Sequence, residues 1–185
     1  NLGDRLVAYS PNKRQQFNFF VVNESSINAF AMIGGVIGVH TGLLLASNNE
    51  SEVASVLGHE IAHVTQRHLP RMIAQQKNDS IKTVLGIALA LLVARANPQL
   101  SAGTMTAASA MGVQKQLDYT RDHEKEADRV GFQILTDAGF DGRAMVSFFN
   151  TLQRGSRFSE GAAPSFLRTH PITTERISDI SNRVK

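Results

Sequence analysis

No cysteine occurs in the 185 residues, so a disulfide framework, a thiolate metal site and a cysteine nucleophile are all excluded. Tryptophan is absent as well, and the excess of Lys and Arg over Asp and Glu is only +3, with no basic run. A protein whose main work is gripping nucleic acid shows a basic face, and this sequence has none to offer. Long apolar stretches are missing too. The longest uncharged apolar run, Thr83 to Ala94, falls well short of the roughly twenty residues that cross a bilayer. The opening, Asn1-Leu2-Gly3-Asp4, has no Met, basic region or apolar region, and reads as a mature or excised fragment that begins inside a helix.

What is present is enough apolar material, 42 % of residues, to build a core. Phe17 to Val22 is aromatic and β-branched and predicts a strand, with a turn at Asn23 to Ser26. A second extended stretch is expected from Asn28 to His40, in which Gly34-Gly35 marks a bulge or a close approach of another backbone. A short helix begins at Thr41. From Asn49 the pattern is helical: Asn49 and Glu52 have capping-box spacing, and Pro70 is expected to end the helix. A second long helix is predicted over about 120–138 with Gly139 closing it, followed by helices near 143–152 and 173–183. These elements make a mainly helical α+β domain with a small sheet, one domain over residues 1–185.

Chemistry concentrates at His59-Glu60-Ile61-Ala62-His63. On a helix, residues four apart lie one above the other, so both imidazoles can reach one ion. Val53, Val56, Leu57, Ile61 and Val64 form the apolar stripe, the histidines lie on its edge, and Glu60 falls inside it. An ionised carboxylate there is costly unless it has a task, and holding a water acidified by a metal is such a task. A third ligand must come from elsewhere. On the second long helix Glu124, Ala127, Asp128, Gly131 and Leu135 share a face. Glu124 as ligand, with Asp128 one turn on holding a ligand imidazole by its other nitrogen, is chemistry this spacing permits. Ala127 and Gly131 would allow the two helices to approach closely. His68, nine residues past His59, is expected on the opposite face of the same helix and so is not a ligand, and His40 and His123 are read as structural or solvated.

His59 to His68, Glu124 to Gly131, Asn28-Ala29-Phe30-Ala31 and Thr169-His170-Pro171 together resemble the HtpX and CAAX-prenyl-protease family of zinc metallopeptidases. The resemblance covers nearly the whole chain. It implies a zincin-type endopeptidase with one Zn²⁺ per chain, bound by His59, His63 and Glu124, with Glu60 as general base and Asp128 orienting His59. It implies that His170 either reaches the zinc as an extra ligand and holds the enzyme shut, or swings aside and stabilises the oxyanion. From the residues alone His170 is equally a loop histidine before a proline. The stretch Gly34, Gly35, Val36, Ile37, Gly38 and Val39 is expected to be the edge strand beside the cleft, to which an extended substrate adds. The resemblance further implies a periplasmic protein of a Gram-negative bacterium that acts in envelope quality control. Its substrates would be unfolded or misassembled outer-membrane proteins, and the outer-membrane assembly machinery a partner. Relatives of this kind carry a C-terminal tetratricopeptide domain that these 185 residues do not include. Two functions remain in view: a protease, and a chaperone or assembly factor that uses a latched zinc domain as a scaffold. The segment 84–94 is open between core helix, lid and peripheral membrane contact, with core helix the default, and 97–113 reads as a long connection.

Overall fold

A computed structural model describes the backbone of residues 1–94, 98–158 and 164–184, and their side chains except for 86–111, 113, 115 and 156–158. The chain divides into two compact units. Asn1–Arg67 and His123–Lys185 form one, and His68–Asp122 the other.

In the first unit, α1 (Leu2–Val7) starts at Asn1, whose side chain accepts from the Asp4 amide at 2.9 Å. Strands β1 (Asn18–Val22), β2 (Ala29–Met32) and β3 (Val36–His40) make one sheet in the order β1-β3-β2. β3 runs parallel to β1, with Asn18 opposite Val36, and antiparallel to β2, with Ala29 opposite Val39. The expected extended stretch from Asn28 to His40 is therefore a hairpin. Gly34 and Gly35 form its turn at φ 95° and 84°, a region that glycine enters without steric cost. The close approach does occur: a Cβ on Gly35 would collide with the Gln16 carbonyl.

This topology corrects the expected substrate edge. Gly34 and Gly35 lie in the turn, and Val36, Ile37, Gly38 and Val39 lie in the central strand, hydrogen-bonded on both sides. Their unbroken burial at Ile37, Gly38 and Val39 is what a central strand shows. The free edges belong to β1 and β2.

α2 (Thr41–Ala46) follows β3 directly, and α3 (Glu50–Thr65) crosses the unit beside β2. Asn49 caps α3 by accepting from the Glu52 amide at 3.0 Å. The capping box is only half formed, because the fully buried Glu52 carboxylate goes instead to the Asn48 amide at 2.7 Å and the Ser147 hydroxyl at 2.7 Å. That bond ties α3 to α6 (Arg143–Phe158). α3 ends before Arg67, which sits at φ 56°. Pro70 lies in the first turn of α4 (His68–Ala94), where a missing N–H costs nothing, so it marks a start and not the expected end.

The second unit holds α4 and the beginning of α5 (Pro98–Asp137). The connection expected over 97–113 is helical from Pro98, in keeping with its alanine-rich sequence; Asn97 is outside the described residues. Ile81, Val84 and Leu85 are exposed by 61 to 66 %, which corrects the core-helix default for that end of the 84–94 segment. The remainder of its side chains lie outside the described residues. Among those described, no helix is long and apolar enough to cross a membrane.

α5 delivers its last turns to the first unit and closes at Gly139, φ 79°, with the Phe140 amide donating to Leu135 at 3.1 Å. α7 (Ser165–Thr169), which the sequence reading missed, and α8 (Thr174–Arg183) complete the unit. Leu6, Ile37, Ile61, Leu135, Phe148 and Ile180 lie in its core. On the surface, Lys125 to Glu175 at 2.7 Å and Arg129 to Asp179 at 3.0 Å lay α8 along α5.

Candidate metal centre

One turn of α3 separates His59 from His63, and their Nε2 atoms stand 3.0 Å apart. Glu124 of α5 brings Oε2 to 3.4 Å from His59 Nε2 and Oε1 to 3.3 Å from His63 Nε2. His170, directly after α7, brings Nδ1 to 3.3 Å from His59 Nε2 and to 3.1 and 3.2 Å from the two Glu124 oxygens. His59, His63, Glu124 and His170 are thus the group that could hold a metal ion among the described residues. Tetrahedral zinc with bonds of about 2.0–2.1 Å has its ligand atoms about 3.3–3.4 Å apart. The spacings here are close to that, and three imidazoles with one carboxylate are ligands zinc accepts. The residues therefore fit the ion.

Two carboxylates stand behind the cluster. Asp128 Oδ1 lies 3.0 Å from His59 Nδ1. Burial alone would raise the Asp128 carboxyl, but Arg176 and then His59 hold it below the usual range. Glu60 is 1 % exposed, its Oε1 makes no hydrogen bond, and His170 Nε2 lies 3.5 Å from that oxygen. An unbonded oxygen in such a place carries a desolvation cost that nothing in the fold returns.

His40 bonds Ser26 through Nδ1 at 2.8 Å, and neither it, His68 nor His123 joins the cluster. Sequence reasoning missed Arg176, whose guanidinium meets Asp128 at 2.6 and 2.7 Å. Its signal was available: Arg176 sits one turn before the buried Ile180 on a short helix, where a charged residue needs a partner.

The helices meet through glycine. A Cβ on Gly131 would lie 2.8 Å from the His59 amide nitrogen and 2.9 Å from His59 Cα. Alanine in a helix is ordinarily better than glycine by about 1 kcal/mol. Here the obstacle is backbone that cannot rotate away, so the clash decides the sign. Gly131→Ala is expected to destabilise the chain by about 1–3 kcal/mol and to weaken zinc binding, because α3 and α5 carry three of the four clustered donors. Thermal unfolding and zinc competition check both, and an unchanged melting temperature would contradict the clash.

The protonation states set a pH dependence. Burial pulls His59 down, but Asp128 and Glu124 outweigh it and lift it to about 10. Burial dominates at His63 and takes it down to about 3. In metal-stripped protein His59 then carries a proton through the neutral range and His63 does not. The stabilisation from charged His59 is full below about 6.5 and is lost as pH rises through about 10. Zinc uptake must release that proton, so affinity is expected to climb about tenfold per pH unit across neutrality. Competition against a chelator at several pH values measures the slope; a flat profile would contradict it.

The model of peptidase family M48 matches residues 1–184. Over 185 residues the chain is 44 % identical to the putative beta-barrel assembly-enhancing protease of Vibrio cholerae, covering 100 % of this chain and 38 % of that protein. It is 40 % identical over 183 residues to the beta-barrel assembly-enhancing protease of Escherichia coli K12, covering 99 % of this chain and 37 % of that one. To the metalloprotease YcaL of the same organism it is 31 % identical over 172 residues, 90 % of this chain and 62 % of that protein. The chain thus spans little more than a third of the length of the first two relatives. With a family model covering nearly every residue and a cluster that fits the metal such peptidases use, this chain belongs to peptidase family M48.

Proposed function

We propose that this chain is a zinc-dependent endopeptidase, one metallopeptidase domain over residues 1–185, with His59, His63 and Glu124 as ligands and Glu60 as general base. The observation that carries the reading is the buried, unbonded Glu60 oxygen beside a four-donor cluster. His59, His63 and Glu124 would hold a zinc ion, which when bound would polarise the scissile carbonyl and acidify the attacking water. Glu60 takes the proton from that water and passes it to the leaving amine. Asp128 holds His59 in orientation through Nδ1. His170 would reach the ion as a fourth ligand and faces Glu60 with its other nitrogen, so it would act as a latch over both ion and base.

The substrate is an extended segment, and β2 is the edge it would join. Asn28 exchanges with His40 across the hairpin, since the His40 amide donates to the Asn28 carbonyl at 3.0 Å. Alternation then turns Phe30 and Met32 toward β3 and Ile27, Ala29 and Ala31 outward. The Ile27 carbonyl already accepts from the Phe166 amide of α7 at 3.1 Å. Ala29 and Ala31 are left to pair with a peptide, and the buried Oδ1 of Asn28, which has no partner, is a further acceptor at the start of that edge.

The names of the Vibrio and Escherichia relatives speak of beta-barrel assembly and support a role in outer-membrane protein assembly; this reading places the chain in the periplasm of a Gram-negative bacterium, with misassembled outer-membrane proteins as substrates and the assembly machinery as partner. His170 in the fourth corner favours, as second reading, a latched domain serving as an assembly scaffold. Cleavage of an unfolded protein by the zinc-loaded chain tests the first reading. It should stop on chelation and return with zinc, and cleavage that survives removal of the metal would overturn it.

A further inference from the structure

Two buried carboxylates and the backbone that follows His170 converge on one side chain outside the cluster. Arg176 is 2 % exposed. Its Nε donates to Asp128 Oδ2 at 2.6 Å and its Nη2 to Asp128 Oδ1 at 2.7 Å. Its Nη1 lies 3.0 Å from Glu124 Oε2 and donates to the Pro171 carbonyl at 2.7 Å, one residue after His170. The face of the guanidinium lies against Phe149, 5.2 Å from the ring centroid. One planar group thus reaches three places: the carboxylate behind His59, the ligand carboxylate, and the backbone that carries His170.

We propose that Arg176 is a positioning residue for the metal centre, fixing Asp128 on His59, limiting Glu124 to one ligand oxygen and fastening the His170 segment. The proposal rests on the reading of the cluster as a zinc site. Asp128 Oδ1 lies 3.0 Å from His59 Nδ1 and accepts from Arg176 Nη2, so the fork fixes the carboxylate that faces the imidazole. Glu124 Oε2 is engaged by Nη1, which leaves one oxygen to give to an ion and keeps the coordination number down. Charge points the same way. Glu60, Glu124 and Asp128 bring three buried carboxylates against the one buried guanidinium of Arg176, and a divalent ion taken up as His59 gives up its proton would offset that imbalance. Lysine carries the same charge but is a point donor, and cannot serve acceptors on α5 and on the Pro171 backbone together.

The test is Arg176→Lys, read with Zn²⁺ and with Co²⁺, whose visible absorption reports coordination. Zinc affinity is expected to fall about 10–100-fold. At saturating Co²⁺ the absorption is expected to weaken, as the freed Glu124 oxygen joins the ion and four-coordination gives way to five. That spectral change is independent of occupancy and is not moved by a loss of stability alone. Arg176→Gln is the second variant should the lysine protein fail to fold. A folded variant with wild-type zinc affinity and wild-type Co²⁺ spectrum overturns the inference alone. Failure of both variants to fold assigns Arg176 to the fold and also overturns it. A wild-type chain that takes up neither ion overturns the zinc reading and this inference with it.

Discussion

Glu60→Gln is expected to lower cleavage of an unfolded protein by about a hundred- to ten-thousand-fold while zinc uptake stays at one ion per chain. The two side chains have nearly the same shape, and the Glu60 oxygen has no hydrogen bond to lose. Glu60 is not one of the four clustered donors, so the ligands are untouched. What goes is the proton acceptor, since an amide cannot take the proton of the attacking water or return it to the amine. Matched zinc content and matched melting temperature, with activity lost, would place Glu60 in the chemistry. Full cleavage by the glutamine protein would remove it from that role and leave the protease reading without a base.

Loss of the latch should act in the opposite direction. His170→Ala is expected to raise cleavage, by about tenfold for each 1.4 kcal/mol by which the closed arrangement is favoured. A catalytic zinc needs three protein ligands and an open position, and His170 Nδ1, 3.3 Å from His59 Nε2 and 3.1 Å from Glu124 Oε1, stands where it would close that position. Its removal also clears Nε2 from Glu60 and breaks the stack on Phe166, whose ring centroid lies 4.6 Å away. Zinc should still bind through His59, His63 and Glu124, more weakly by the loss of one ligand. Three outcomes separate three roles. A gain in activity identifies a latch, a loss with zinc retained identifies an oxyanion stabiliser, and a loss of both metal and stability identifies a structural zinc site. Measuring zinc content, melting temperature and cleavage on the same sample distinguishes them.

Much of the site was legible because it is local. His59, Glu60 and His63 are placed by the period of one helix, and a carboxylate inside an apolar stripe is visible without any tertiary knowledge. The same holds for Glu124 and Asp128, one turn apart on α5, and for the small residue Gly131 where α5 meets α3. The start of α3 was readable from Asn49, whose side chain bonds its own backbone, and the structure caps α8 in the same way through Thr173, which accepts from the Arg176 amide at 3.2 Å. The glycine pair at 34–35 was visible, but its meaning was not. A turn and a bulge use the same residue for the same reason, and only the pairing partner tells them apart.

Pro70 and the 97–113 stretch misled for a related reason. Proline ends a helix or begins one, according to which N–H groups are already without partners. Small residues suit a loose connection, yet alanine is also the best helix former.

The sequence by itself determined the family, the helices that carry the donors, and the spacing that puts two imidazoles and a carboxylate on one face of α3. These follow from backbone periodicity, which acts over a few residues. Tertiary structure alone decided that β3 is central and β2 an edge, that His170 meets His59 from 111 residues away, and that Arg176 binds Asp128 from 48 residues away. Strand order and the closure of a buried charge network depend on how whole elements pack, and packing brings together residues whose order in the chain carries no sign of it.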